Sequence, residues 1–432
     1  LLSYAVPTIL GNLFQLTYNA MDSIIVGRFA GKNSLAAVGT ANPIMNIVLF
    51  FIIGLCMGAS VLMSEFYGAG DQRRLKREVS TTLVAGIVFT IGLSILFIFL
   101  ARPILVLINT PAEVIGEAQA YLRIIFAGLI FTFLYNVYAS ALRSVGDSVT
   151  PVRCLIVAAV LNGVLDYVMV AVFHTGAAGA AAATVMAQAC SAVMCMIYVY
   201  RRVDLLRVSR KEMHVDRGLL SRTIHYSWAS AMQQAVLYMG KVGVQMTVNP
   251  LGVDAMATFN AVNRVDDFAY TPQQSIGQGI TVFIAQNRGA GNETRVRKGL
   301  KEGLALEVAY GIAIGAVIFL CARFLMTLFV QEEEVQIISM GSHYLTTIAF
   351  CYILPAVTNG IQGFFRGLGR MEVTLGATAT QMIFRVLFSW YLAPRYGIPG
   401  IAYACLGGWL MMLVFEVPIL VKQLRGKCCG KA

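Results

Sequence analysis

Charge is what this chain has least of. Asp, Glu, Lys and Arg make up 13% of its 432 residues, against roughly 25% in a soluble domain. With 58% hydrophobic residues, a soluble globular fold is excluded. Metal-binding motifs are missing too. The nine cysteines form no CxxC and no His/Cys ligand spacing, and most lie inside apolar runs. A disulfide framework and a structural zinc are therefore not expected. No GxxxxGK(S/T) loop occurs, so the chain does not itself hydrolyse ATP. No strand pattern precedes the Gly-rich segments, which excludes a nucleotide-binding turn. There is no nucleophile–base motif, and the four histidines (His174, His214, His225 and His343) fall in loops or near the ends of apolar runs. No enzyme and no cofactor are expected.

What is there is a series of twelve apolar runs, each of the about 20 residues a span needs. They lie near 3–27, 34–66, 79–101, 115–142, 152–173, 177–200, 222–248, 255–287, 296–321, 337–365, 373–393 and 399–421. The fold class is an all-α polytopic membrane protein. Pro7, Pro43, Pro272 and Pro355 suit membrane helices that bend. The chain begins at Leu1, which reads as a trimmed start. Its first run is too long, and too polar on one stripe, for a cleaved signal peptide.

The net charge of +11 would point to nucleic acid in a soluble protein. Here it follows the positive-inside rule, and no nucleic acid partner is expected. With the loop after the second run placed in the cytoplasm, 24 Lys/Arg fall on that side and five on the other. The 24 include Arg210, Lys211, Lys427 and Lys431. Both termini are then cytoplasmic, in an inner membrane. Four basic residues stay inside spans: Arg123, Lys241, Arg264 and Arg385.

The halves repeat. Gly68-Ala69-Gly70-Asp71 follows the second run, and Gly289-Ala290-Gly291-Asn292 follows the eighth, 221 positions later. Asn42 matches Asn263 and Gly176-x-x-Gly179 matches Gly397-x-x-Gly400 at the same offset; Asn136, Arg143 and Gly146 match Asn359, Arg366 and Gly369 at 223. Twelve transmembrane helices thus form two pseudo-symmetric six-helix bundles, related by an axis along the membrane normal. The expected division is an N-terminal lobe at 1–200, a cytoplasmic linker at 201–221, a C-terminal lobe at 222–423 and a tail at 424–432 that holds Cys428 and Cys429. Two such bundles with a cleft between them suit alternating access, with substrate and ion sites near mid-membrane.

A carboxylate at the centre of a membrane helix costs about 2.5–3.5 kcal/mol on insertion scales, so it faces a partner or water. Asp22 is such a group. Asn12, Gln15, Asn19 and Asp22 form one helical stripe. Asn162 and Asp166 lie four apart in the fifth run, and Thr184 lies in the small-residue run of the sixth. Asp22, Asn162, Asp166 and Thr184 offer hard oxygen ligands, which suit Na⁺ or H⁺ rather than a soft metal. The second half lacks this acid pair: Asp22 maps near Gly243 and Asp166 near Arg385. Gln234, Tyr238, Lys241 and Gln245 form a stripe there. Asn260, Asn263 or Arg264, Asp267, Gln274 and Gln278 follow one face of the next run. Lys241, Arg264 and Arg385 either pair with Asp266 or Asp267 or form a basic wall of the substrate cleft. The cleft residues expected are Gln15, Asn19, Gln234, Tyr238, Lys241, Asn263, Asp267, Gln274 and Arg385. Glu307 and Glu416 have no assigned role.

Several motifs, in order and partly doubled, resemble the multidrug and toxic compound extrusion family. They are Pro7 with Asp22-Ser23-x-x-x-Gly27, Ala36-Ala37-Val38-Gly39, the paired Gly-Ala-Gly loops, Ala141-Leu142-Arg143-Ser144-x-Gly146-Asp147, Leu161-Asn162-x-x-x-Asp166, and the Gly176–Thr184 segment. The resemblance spans nearly the whole chain. It implies export of drug-like or metabolite small molecules by Na⁺ or H⁺ antiport from a lipid bilayer, with a monomer as the working unit. It also implies a cation site at Asp22, Asn162, Asp166 and Thr184. Lys241 and Arg385 stand where other relatives keep acids, so coupling is expected in the first half alone. A flippase of lipid-linked sugars is the alternative cargo reading. A twelve-span transporter of the major facilitator type fits the paired Asp22 and Asp166 less well.

Overall fold

The computed structural model describes residues 2–209 and 212–426. For 2–3 and 16–24 it describes the backbone but not the side chains. Asn19 and Asp22 therefore have described backbone only, and Arg210, Lys211 and the tail from Lys427, with Cys428 and Cys429, lie outside the described residues. The protein is all-helical. Among the described residues, α1 (Leu2–Ile25), α2 (Gly31–Gly68), α3 (Gln72–Leu107), α4 (Ala112–Ala127), α5 (Leu129–Ser144), α6 (Val149–Asp166) and α7 (Gly176–Arg202) form the first half. The second half holds α8 (Arg217–Val248), α9 (Val253–Gly289), α10 (Glu293–Thr327), α11 (Val335–Ala349), α12 (Ile353–Gly367), α13 (Met371–Tyr396) and α14 (Ile398–Arg425). Among the described residues, seven spans are long and apolar enough to cross a membrane by length and composition alone. The count is eight if α4 and α5, which bend by 43°, are one broken span.

Fourteen helices occupy twelve apolar runs because two runs are broken. The fourth becomes α4 and α5 around Gly128. A methyl there would overlap Val185, so glycine lets α7 approach the bend. The tenth becomes α11 and α12, joined by a 3₁₀ turn at Phe350–Tyr352.

The repeat is visible in the backbone. All eight described glycines with positive φ fall into four pairs: Gly31 with Gly252, Gly70 with Gly291, Gly146 with Gly369, and Gly176 with Gly397. Gly70 and Gly291 show why. The chain needs a left-handed residue (φ 71° and 68°) between two long helices, and glycine adopts it without a Cβ penalty. The next residue then caps the following helix. Asp71 accepts a bond from the Arg74 N–H at 2.9 Å, and Asn292 accepts one from the Arg295 N–H at 3.0 Å.

The halves differ at two points. After α1 the chain passes through a π-helical segment, Val26–Ala30, and after α6 through another, Tyr167–Val172. The corresponding places in the second half are a 3₁₀ turn at Asn249–Leu251 and an unbroken α13.

Two compact units result, each with its own apolar core. One spans Val6–Ala231. The other takes Met232 onward together with the residues up to Ala5. The change-over falls inside α8, because the linker and the first half of α8 pack onto the N-terminal unit. Ser80 Oγ donates to the backbone oxygens of Glu212 and His214 at 3.0 Å, and Thr223 Oγ1 donates to buried Glu78 at 2.7 Å. Gly54 and Gly58 of α2 let Ala231 and Ser227 close in, where a methyl would meet backbone at 2.8 Å and 2.6 Å.

Candidate functional site

In the N-terminal unit, α6 and α7 bring together the residues proposed for the cation. Asn162 and Asp166 stand one turn apart on α6, and both are buried. Thr184 faces them from α7, within Ala180–Thr184, where small side chains allow close helix packing. The Asn162 Nδ2 donates to Thr184 Oγ1 at 3.5 Å, the long limit of a hydrogen bond. Asn162 Oδ1 is buried without a hydrogen-bond partner among the described residues. The Asp22 side chain, the fourth expected ligand, lies outside the described residues. An amide oxygen, a carboxylate and a hydroxyl on two helices are what a hard monovalent cation or a proton can use.

The π-helical segments frame this place. Tyr167–Val172 begins at the residue after Asp166, and Val26–Ala30 begins four residues after Asp22. A π-helical turn carries one extra residue and often marks a functional site. Phe29 meets Tyr167 edge-on between the two segments, with ring centroids 5.7 Å apart.

In the C-terminal unit a cavity of about 120 Å³ opens beside α8, α9 and α13. Its polar lining is Lys241, Gln245, Asn263, Asp266, Asp267 and Arg385, with Phe259, Val244 and Tyr270 as its apolar wall. Phe259, Asn263, Asp266 and Tyr270 are spaced four, three and four, a single stripe of α9. Charged groups occupy it at two depths. Lys241 Nζ lies 3.4 Å from Asp267 Oδ1, both exposed. Deeper, Asp266 is buried and accepts a hydrogen bond from Tyr352 Oη. Arg385 lines the same cavity as Asp266 and Tyr270. Tyr270 packs on Tyr352 and Trp409 at centroid distances of 5.4 and 5.9 Å.

Of the expected cleft residues, Lys241, Asn263, Asp267 and Arg385 share this cavity. Gln234, Tyr238 and Gln274 do not line it, nor does the exposed Arg264. Gln15 is exposed on α1 in the other unit, and the Asn19 side chain lies outside the described residues. Sequence reasoning passed over Tyr270 as a cavity residue and Tyr352 as the donor to Asp266 behind it. The signal was the four-three-four stripe on α9, which continues from Asp266 to Tyr270.

An all-helical membrane protein with two repeated bundles and buried polar groups inside each is a secondary-transporter architecture. The chain belongs to the MatE family, whose model matches residues 7–168 and 229–391; this is a family of transporters and not of enzymes. It is 29% identical over 408 residues to the probable multidrug resistance protein YpnP of Bacillus subtilis, covering 94% of this chain and 88% of that one. It is 25% identical over 435 residues to the probable multidrug resistance protein NorM of Thermotoga maritima, covering 96% and 88%. Among solved structures, a Vibrio cholerae MATE transporter, VcmN, superposes with a TM-score of 0.93 at 20% identity, covering 99% of this chain and 97% of that one. A Pyrococcus furiosus transporter of the MOP superfamily, described as having a binding pocket of reverse polarity, superposes at 0.91 with 20% identity, over 98% and 96%. The likeness to both structures is one of fold.

Proposed function

We propose that this chain exports drug-like small molecules across a bacterial cell membrane by cation antiport, with alternating access. The observation that carries the reading is the group Asn162, Asp166 and Thr184 on two packed helices, the first two buried and Thr184 half-buried. A carboxylate placed there needs a cation or a proton to neutralise it, and Asp22 from α1 is the natural second acid. Two carboxylates in one dry site hold either one metal cation or one proton between them. Inward movement of one charge supplies about 2.3 kcal/mol per 100 mV of membrane potential. Ion and substrate then act on one conformational equilibrium, each through its different affinity for the two states. Names of relatives such as multidrug resistance protein YpnP support the cargo class.

The C-terminal cavity is the proposed substrate contact. Its two cations share the lining with two carboxylates, so it is not a purely basic wall. That balance, with Phe259 and Tyr270 beside it, favours amphipathic or zwitterionic cargo over a phosphate-bearing lipid.

Purified protein in liposomes, given first a Na⁺ gradient and then a pH gradient, tests the reading. One gradient drives efflux of a fluorescent drug in the native protein. Asp22→Asn and Asp166→Asn abolish it while the protein still reaches the membrane. Native rates in both variants would overturn the assignment.

A further inference from the structure

A second cavity of the C-terminal unit, of about 500 Å³, opens between the start of α13 and the end of α14. Ligand sites are commonly about 300–1,000 Å³. Arg370, Pro418, Ile419, Lys422, Gln423 and Gly426 line it. Among the described residues, the lining therefore holds two cations, no acid and an apolar side made by Pro418 and Ile419. Arg370 lies three residues before the apolar run 373–393, and Lys422 directly follows the run 399–421, which contains Pro418 and Ile419. The cations thus stand where headgroups begin, and the apolar side continues toward the acyl chains.

The two cations are held differently. Arg370 Nη1 donates to Gln423 Oε1 at 2.9 Å, and its Nε lies 3.4 Å from Glu372 Oε1. Its guanidinium stands 5.9 Å from the ring centre of buried Phe365. These contacts fix the fork and leave Nη2 without a partner among the described residues. Lys422 is exposed and makes no ion pair among the described residues. Glu372 is the acid that answers this group, and it lies outside the lining, so net positive charge remains.

The repeat supplies a contrast. The position 223 before Arg370 is Asp147. That carboxylate accepts the N–H groups of Val149 and Thr150 at 3.1 and 3.0 Å and so caps α6. In the second half an arginine stands there instead and makes no side-chain cap on α13. An anion built into the first half is replaced by a cation in the second.

We propose that this cavity binds the phosphate of an anionic phospholipid, with Arg370 and Lys422 on the phosphate oxygens and an acyl chain along Pro418 and Ile419. A guanidinium fork engages two phosphate oxygens at once, and an ammonium adds a point charge. Basic pockets between helix ends recognise lipid headgroups in this way. A zwitterionic lipid offers the same phosphate but brings its own cation, for which the lining has no acid. The site is separate from Asp166 and from the cavity at Lys241, and it does not depend on the antiport reading.

Native mass spectrometry of the full-length protein, titrated with phosphatidylglycerol, phosphatidylcholine or inorganic phosphate, tests this. The first phosphatidylglycerol should bind more tightly than phosphatidylcholine. Lys422→Gln should weaken it about fivefold, the contribution of one basic residue at an anionic surface, and Lys422→Arg should keep native binding. Arg425→Gln, three residues further along α14 and outside the lining, should leave it unchanged. Lys422 is exposed, so its variants should unfold at the native temperature. Equal losses in Lys422→Gln and Arg425→Gln would overturn the proposal in favour of diffuse attraction to a basic helix end. Equal binding of phosphatidylcholine would overturn it by showing that net charge is not read. Displacement of the lipid by inorganic phosphate would overturn it by making a free anion the ligand.

Discussion

Phe29 and Tyr167 meet edge-to-face at 5.7 Å, one ring from each π-helical segment. The segments directly follow the parts of α1 and α6 that carry Asp22 and Asp166. An aromatic pair of this geometry contributes about 0.5–1.5 kcal/mol beyond its buried area. A double-mutant cycle with Phe29→Ala and Tyr167→Ala should give a coupling of about that size in thermal unfolding. Additive single effects would mean that the two segments are held apart by other contacts.

The Tyr352 hydroxyl donates to Asp266, a buried carboxylate at the back of the C-terminal cavity. Removing a donor from a buried acceptor costs about 1–3 kcal/mol, more for a charged one. Tyr352→Phe should therefore lower the unfolding temperature of the purified protein. The same change in an Asp266→Leu background should cost clearly less, since no carboxylate is left wanting a donor. Equal costs in both backgrounds would show that the ring and not the hydroxyl carries the effect.

Much of this architecture is legible in the residues. Apolar runs mark the helices, and the Gly-Ala-Gly loops mark the repeat because a left-handed turn leaves few alternatives to glycine. Lys241, Asn263, Asp267 and Arg385 stand out because polar groups are rare in such runs. The π-helical segments are not legible. Val-Gly-Arg-Phe-Ala and Tyr-Val-Met-Val-Ala-Val are ordinary apolar membrane sequence, and one inserted residue changes hydrogen-bond register without changing composition. Tyr270 and Tyr352 read as packing aromatics, since only tertiary structure shows which tyrosine hydroxyl meets a carboxylate.

In the linker between α7 and α8, Glu212 Oε2 accepts the Ser209 N–H at 2.9 Å. That backbone bond, the largest influence, holds the carboxyl below its usual range, with a smaller contribution from the Lys76 charge. A carboxylate so depressed stabilises the folded linker above its ordinary pKa, and the effect fades as pH falls through the lowered value. Protease cleavage within residues 203–216 should accelerate as the pH is lowered into that range. Glu212→Gln should cleave at the fast rate at every pH. A native profile that stays flat through the acid range would rule out the Glu212 contact as the linker's clasp.

Two helix glycines, Gly315 of α10 and Gly92 of α3, give the last prediction, because their roles separate by what a methyl would meet. On Gly315 it would lie 2.5 Å from the Ala349 carbonyl oxygen, a backbone atom that cannot swing aside. Overpacking of this kind costs about 1–3 kcal/mol. Gly315→Ala should destabilise the protein by forcing α10 away from α11. Gly92, mid-way along α3, has open space around it. There alanine should stabilise by roughly 0.5–1 kcal/mol through the lower chain entropy of the unfolded state. Thermal unfolding of the two variants beside the native protein reads both signs at once. If Gly315→Ala also stabilised, the α10–α11 interface would be loose enough to admit a methyl, and close helix contact would not be what Gly315 provides.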